Sequence, residues 1–75
     1  MLADRITVDP NLMGGRPCIR GLRFPVSRLL GLLAAGQSHQ EILANHPDLE
    51  DADILAAIGY GAALADDRVI VLKSA

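Results

Sequence analysis

The backbone of this chain is most constrained along Met13-Gly14-Gly15-Arg16-Pro17-Cys18-Ile19-Arg20-Gly21-Leu22-Arg23-Phe24-Pro25-Val26. Three glycines, two prolines and three arginines surround the short apolar pair Cys18-Ile19. Gly14 and Gly15 permit backbone angles that a side chain forbids, while Pro17 and Pro25 fix φ and withhold an N–H. Such a stretch specifies one path. The segment before it reads as extended, and everything after it reads as helix.

Arg5-Ile6-Thr7-Val8 alternates and is β-branched, then meets the turn signal Asp9-Pro10-Asn11, which predicts a strand over 5–8. A second short strand is expected over 17–19, after the Gly14-Gly15 turn. Arg20-Gly21 then reverses the chain into a third extended piece, 22–24. Pro17 cannot donate to a ladder and suits an edge or a strand's first position. A ribbon this small is unstable in isolation, so it must lie on the helices or pair with the ribbon of a second chain.

The first helix is expected from Pro25, a residue tolerated in the first turn, to Gly36, a terminating C′ glycine. Its apolar stripe is Val26, Leu29, Leu30, Leu32 and Leu33. Ser38-His39-Gln40-Glu41 matches a capping box and opens a second helix, with Ile42 and Leu43 buried, that closes at Asn45-His46-Pro47. A third helix is expected over 51–65, burying Ile54, Leu55, Ile58 and Ala62, with Asp51 and Asp53 complementing its dipole. Gly59 and Gly61 inside it each cost about 1 kcal/mol relative to Ala, which a closely approaching element would explain. The run Val69-Ile70-Val71-Leu72 is either a partner-binding segment or a fraying end.

The organisation is therefore one domain over 1–75: a β-ribbon (5–24), a three-helix core (25–65) and a tail (66–75). With only Phe24 and Tyr60 aromatic, the core rests on Leu, Ile, Val and Ala. A chain of 75 residues is marginal alone, and a partner subunit is the physical expectation. Cys18, the sole cysteine, suits a reducing compartment, and no apolar run approaches a membrane span or a signal-peptide core, so the chain reads as cytoplasmic.

The net charge of −2 conceals a division. Residues 1–28 carry +3 (five Arg against Asp4 and Asp9), and residues 29–75 carry −5 (Arg68 and Lys73 against seven acids). Two surfaces facing different partners would follow, one of them a polyanion; solvated charge without a partner is the plain alternative. The three helices could form a helix-turn-helix, but the third begins with Glu50, Asp51 and Asp53, which phosphates repel, and lacks base-reading side chains. If DNA is bound, Arg16, Arg20 and Arg23 of the ribbon are the better contacts, with Arg28 beside them. Gly15-Arg16-Pro17 resembles half of a minor-groove AT-hook, but its flanks read as structured.

No catalytic, metal or cofactor constellation emerges. Cys18, His39 and His46 sit in three different elements, Cys18 reads as a small apolar core residue, and Ser38 is explained by capping. Gly14-Gly15 could form an anion nest, but no P-loop or Rossmann pattern surrounds it.

Ile6-Thr7-Val8-Asp9-Pro10, the Gly14-to-Val26 stretch, Leu29 to Gly36, Ser38 to Ile42, Pro47 to Leu49 and Ala56-Ala57 together resemble the signature of domain-of-unknown-function family 433. The resemblance covers residues 5–65, with Gly14, Gly15, Pro17, Gly21, Pro25, Ser38 and Glu41 as its structural positions. It implies a mainly α, homeodomain-like helix-turn-helix domain with a short N-terminal β-ribbon, commonly dimeric. Members are regarded as VapB-type antitoxins. The implied function is to bind and silence a PIN-like nuclease toxin and to bind the operon's promoter DNA. A dimeric protein-interaction or scaffold domain without DNA binding is the alternative. The chain departs from the pattern at Leu22, where the family usually has Thr, and near Glu50, where a capping Ser or Thr is usual. Asp51 or Asp48 is expected to cap instead.

Overall fold

The computed structural model describes residues 2–67. A single helical turn, α1 (Leu2–Arg5), leads into β1 (Ile6–Thr7), which pairs antiparallel with β2 (Cys18–Ile19) in the register Ile6↔Ile19 and Thr7↔Cys18. Three longer helices follow: α2 (Val26–Ala34), α3 (His39–Asn45) and α4 (Asp51–Asp67). The architecture is mainly α, three helices carrying a two-stranded N-terminal ribbon.

The strands are shorter than their alternation predicts, for physical reasons. Arg5 closes α1 instead of opening a strand. Beyond Thr7 the chain is turned away by Asp9, whose carbonyl accepts from Leu12 N–H at 2.9 Å and whose carboxylate accepts from Asn11 N–H at 2.9 Å. Met13, Gly14 and Gly15 all take left-handed backbone angles (φ 53°, 68° and 80°), the path for which the two glycines are needed. The expected piece 22–24 is not a strand. It is held by one bridge, Cys18 to Pro25, and by Ile19 N–H donating to the Phe24 carbonyl at 3.0 Å.

Pro25 stands just outside α2, in extended geometry, and not within its first turn. Gly36 ends the helix at φ 92°, with Gly36 N–H bonded to the Leu33 carbonyl (3.0 Å) and Gln37 N–H to that of Leu32 (3.2 Å), the Schellman pattern. The capping box of α3 is complete: Glu41 N–H donates to Ser38 Oγ (3.1 Å) and Ser38 N–H to Glu41 Oε1 (2.9 Å). These contacts hold the Glu41 carboxyl below its ordinary pKa.

The core joins Ile19, Phe24, Val26, Leu29, Ile42, Leu49, Ile54 and Ala57, with Ile6, Leu22, Leu30, Leu43 and Tyr60 packed around it. The buried face of α4 differs from the expected stripe. Asp53, Ile54, Ala56 and Ala57 are buried, whereas Leu55 and Ile58 are 58% and 42% exposed and Ala62 is exposed. The helix is apolar on both sides, so spacing alone could not choose between them. Gly61 does meet a close neighbour: a Cβ there would lie 3.2 Å from Leu30 Cδ1 of α2. The run Val69–Leu72 lies outside the described residues. No helix among the described residues is long and apolar enough to cross a membrane.

Candidate functional site

The turn Ile19-Arg20-Gly21-Leu22 closes with Leu22 N–H on the Ile19 carbonyl at 2.7 Å. Both central residues have positive φ, 43° at Arg20 and 71° at Gly21. Gly21 suits that conformation, whereas Arg20 carries its side chain into it at a cost on the order of 1 kcal/mol. The loop is tied back to the ribbon by Arg20 N–H on the Arg5 carbonyl (2.9 Å) and by Gly21 N–H on Thr7 Oγ1 (2.8 Å). A hydroxyl therefore does serve this turn, from β1 and not from position 22, where Leu22 packs against the core.

Placed by this turn, Arg20 reaches α4. Its Nε lies 3.0 Å from Asp53 Oδ1, its Nη2 lies 2.9 Å from Asp53 Oδ2, and Nη2 also donates to the Asp48 carbonyl at 2.7 Å. Arg5 Nη1 donates to the same Asp53 Oδ1 (2.9 Å) and to Glu50 Oε1 (2.7 Å). The Asp53 side chain is 0% exposed, and the two arginine side chains are 33% (Arg5) and 32% (Arg20) exposed. Burial alone would push the Asp53 carboxyl up. The Arg20 hydrogen bonds, the Glu50 N–H at 2.8 Å and the Arg5 contact outweigh it and hold the group below the ordinary carboxylate range. Hydrogen bonds to Glu50 and Asp53 raise the Arg5 pKa, and those to Asp53 raise that of Arg20.

Asp53, and not Asp51 or Asp48, supplies the side-chain bond at the start of α4. It sits three residues after Glu50 and accepts the Glu50 N–H, the reach-back half of a capping box. Asp51 instead meets His39, with Nδ1 and Oδ1 3.3 Å apart. Asp53 shares a helical face with Ala56 and Ala57, and once that face is the buried one its carboxylate requires a cationic partner; the sequence alone did not choose the face.

The four arginines proposed as contacts meet different surroundings. Arg20 is engaged inward. Arg28 stacks on Phe24, its guanidinium carbon 4.6 Å from the ring centroid, while His46 meets the same ring edge-on at 5.1 Å. Arg16 borders a cleft of about 310 Å³ between the Arg16–Pro17 segment, α2 and α4, walled by Val26, Leu30, Tyr60 and Leu64. Arg23 borders another, of about 270 Å³, with Asn45, His46 and Asp48. Cys18 is 1% exposed. Among the described residues, no three His, Cys, Asp or Glu side chains gather as a metal ion would need.

A family described as "Protein of unknown function (DUF433)" matches residues 6–61, the ribbon and most of the helical core. The chain belongs to the DUF433 family. A crystal structure of a DUF433 member from Anabaena variabilis ATCC 29413 superposes with a TM-score of 0.78 at 34% identity, covering 89% of this chain and 66% of that one. An uncharacterised protein, y4eO, of Sinorhizobium fredii (strain NBRC 101917 / NGR234) is 36% identical over 58 residues. That match takes in 77% of this chain but only 26% of the other, so the chain spans about a quarter of the length of this curated relative. In this DUF433 chain, the Gly14-to-Val26 stretch that carried the resemblance is the segment that delivers Arg20 to Asp53.

Proposed function

We propose that this chain is a non-enzymatic binding domain, the antitoxin of a type II toxin–antitoxin pair, which silences a PIN-like nuclease by stoichiometric contact. The observation that carries the reading is the outer face of α4. Leu55 and Ile58 are 58% and 42% exposed, beside the small Ala62 and the exposed acids Asp51 and Asp66. An apolar stripe with acidic neighbours fits a partner that is basic and apolar at its contact. Promoter DNA, the second expected partner, would be met by Arg16 and Arg23, because the Arg20 guanidinium already serves Asp53.

The test is co-expression with the neighbouring gene product, followed by purification and mass analysis. The expected result is a stable complex whose nuclease activity appears only once this chain is removed, and which Leu55→Lys weakens. A homodimer with no neighbour bound would overturn the antitoxin reading. The alternative, a dimeric scaffold domain that leaves DNA alone, is favoured by the acids at the start of α4. A salt-dependent mobility shift on the promoter separates the two: DNA binding should weaken, with a shallower salt slope, in Arg16→Ala and Arg23→Ala.

A further inference from the structure

We propose that the cleft bordered by Arg16 is a second docking site, for a segment of a partner protein that presents a large aliphatic side chain next to a carboxylate. This goes beyond the reading of α4, because the cleft lies on the other side of that helix and carries the opposite charge. Leu64 is displaced from Leu55 by nine residues, half a turn out of phase, so the two side chains point to opposite faces.

The cleft is a place where the core is left open. Gly61 allows Leu30 to approach α4 closely, a Cβ there being only 3.2 Å from Leu30 Cδ1. Beyond that contact, Leu64 continues the buried face of α4 yet is 43% exposed, with no described side chain of the body covering it. The resulting space of about 310 Å³, walled by Pro17, Val26, Leu30, Tyr60 and Leu64, is at the lower end of the range for ligand pockets. It accommodates aliphatic side chains without displacing anything described.

Charge decides the occupant. Arg16 stands at the edge of this apolar space, and among the described residues it has no carboxylate partner, in contrast to Arg5 and Arg20. A cation beside an apolar cleft selects an anion attached to an apolar body, and a planar guanidinium selects a carboxylate by paired hydrogen bonds. On a helix, Leu at i and i+4 with Glu at i+3 places the three groups on one face.

The test titrates the 15N-labelled full chain with such a capped helical peptide, and with two versions carrying Gln for Glu or Ser for both Leu. Amide shifts are expected at Arg16, Ser27, Leu30, Tyr60 and Leu64, with the Glu peptide binding about 5-fold tighter than the Gln peptide. Arg16→Gln should erase that preference while retaining the weaker binding, and the Ser peptide should not bind. Equal binding of the Glu and Gln peptides, or shifts centred on Leu55 and Ile58, would overturn the proposal. So would cleft shifts that depend on protein concentration without peptide, which would assign the cleft to a second copy. Contacts between Val69–Leu72 and Leu64 in the free chain would assign it to this chain's own end. Failure here leaves the co-expression result untouched. Arg16 is also one of the two arginines proposed for promoter DNA, so an occupied cleft and DNA contact at Arg16 exclude each other, and the peptide titration is run without DNA.

Discussion

Replacing Asp53 with Asn removes one charge and almost no volume, and it should cost about 3 kcal/mol of stability. Both carboxylate oxygens accept from donors: Oδ1 from Arg5 Nη1 (2.9 Å) and Arg20 Nε (3.0 Å), Oδ2 from Arg20 Nη2 (2.9 Å) and Glu50 N–H (2.8 Å). An amide offers one oxygen and one NH₂, so either orientation sets a donor against two donors. With the side chain 0% exposed, water cannot substitute. Two charge-assisted bonds at roughly 1.5–3 kcal/mol each are lost, and rehydration of the part-exposed arginines returns a portion. A domain of 75 residues has a total stability of roughly 4–11 kcal/mol, so the change is a large share of it. Circular-dichroism melts should show Tm falling by about 12–24 °C, and urea titration should show a lower midpoint at unchanged slope. The pH dependence adds a second test. Because the folded pKa of Asp53 lies below the unfolded value, near 3.9, its contribution is complete above that value and lost as pH falls through the folded one. The gap between wild type and Asp53→Asn should therefore narrow as pH drops below about 4. A variant within about 0.5 kcal/mol of wild type, with the same acid limb, would refute the hub as a stabilising centre.

Three further substitutions probe how the elements end and meet. Ser38→Ala removes the hydroxyl that accepts the Glu41 N–H and should lower stability by about 1 kcal/mol in urea titration. Gly36→Ala places a Cβ at φ 92° and should cost about 1–2 kcal/mol, read in the same assay. Gly61→Ala gains up to about 1 kcal/mol of helix propensity, against a 3.2 Å contact with the end of a leucine that borders an open cleft. Its melt should be unchanged or raised, whereas Gly61→Val, which adds branches at the same place, should lower it by about 1–3 kcal/mol.

The helical half was legible because its signals are local. Ser38 and Glu41 are three residues apart, and Gly36 acts on the carbonyls of Leu32 and Leu33 just behind it. The Gly14-Gly15 and Arg20-Gly21 turns were legible because left-handed backbone has few alternatives to glycine. Two features were not. The buried side of α4 could not be chosen by periodicity when Ile54-Ala57 and Leu55-Ile58 both read as apolar stripes. The destination of Arg20 depends on a partner 33 residues away, which no local pattern encodes. Positive charge on a loop suggested a phosphate, yet the anion it holds is Asp53 of the same chain.

The Asp53 hub also fixes an order of assembly. It bonds Arg20 across 33 positions and Arg5 across 48, whereas α2 and α3 are finished by contacts only a few residues long. Short-range contacts close quickly and long-range ones pay a larger loop entropy first. The ribbon is thus fastened to the helices last, because the carboxylate that anchors Arg5 and Arg20 lies in α4, which follows α2 and α3 along the chain. Until then Arg5 and Arg20 lack the carboxylate they share, although the two strands already pair with each other. A variant lacking α4 would leave both cations without that partner, which makes α4 the condition for a fastened ribbon.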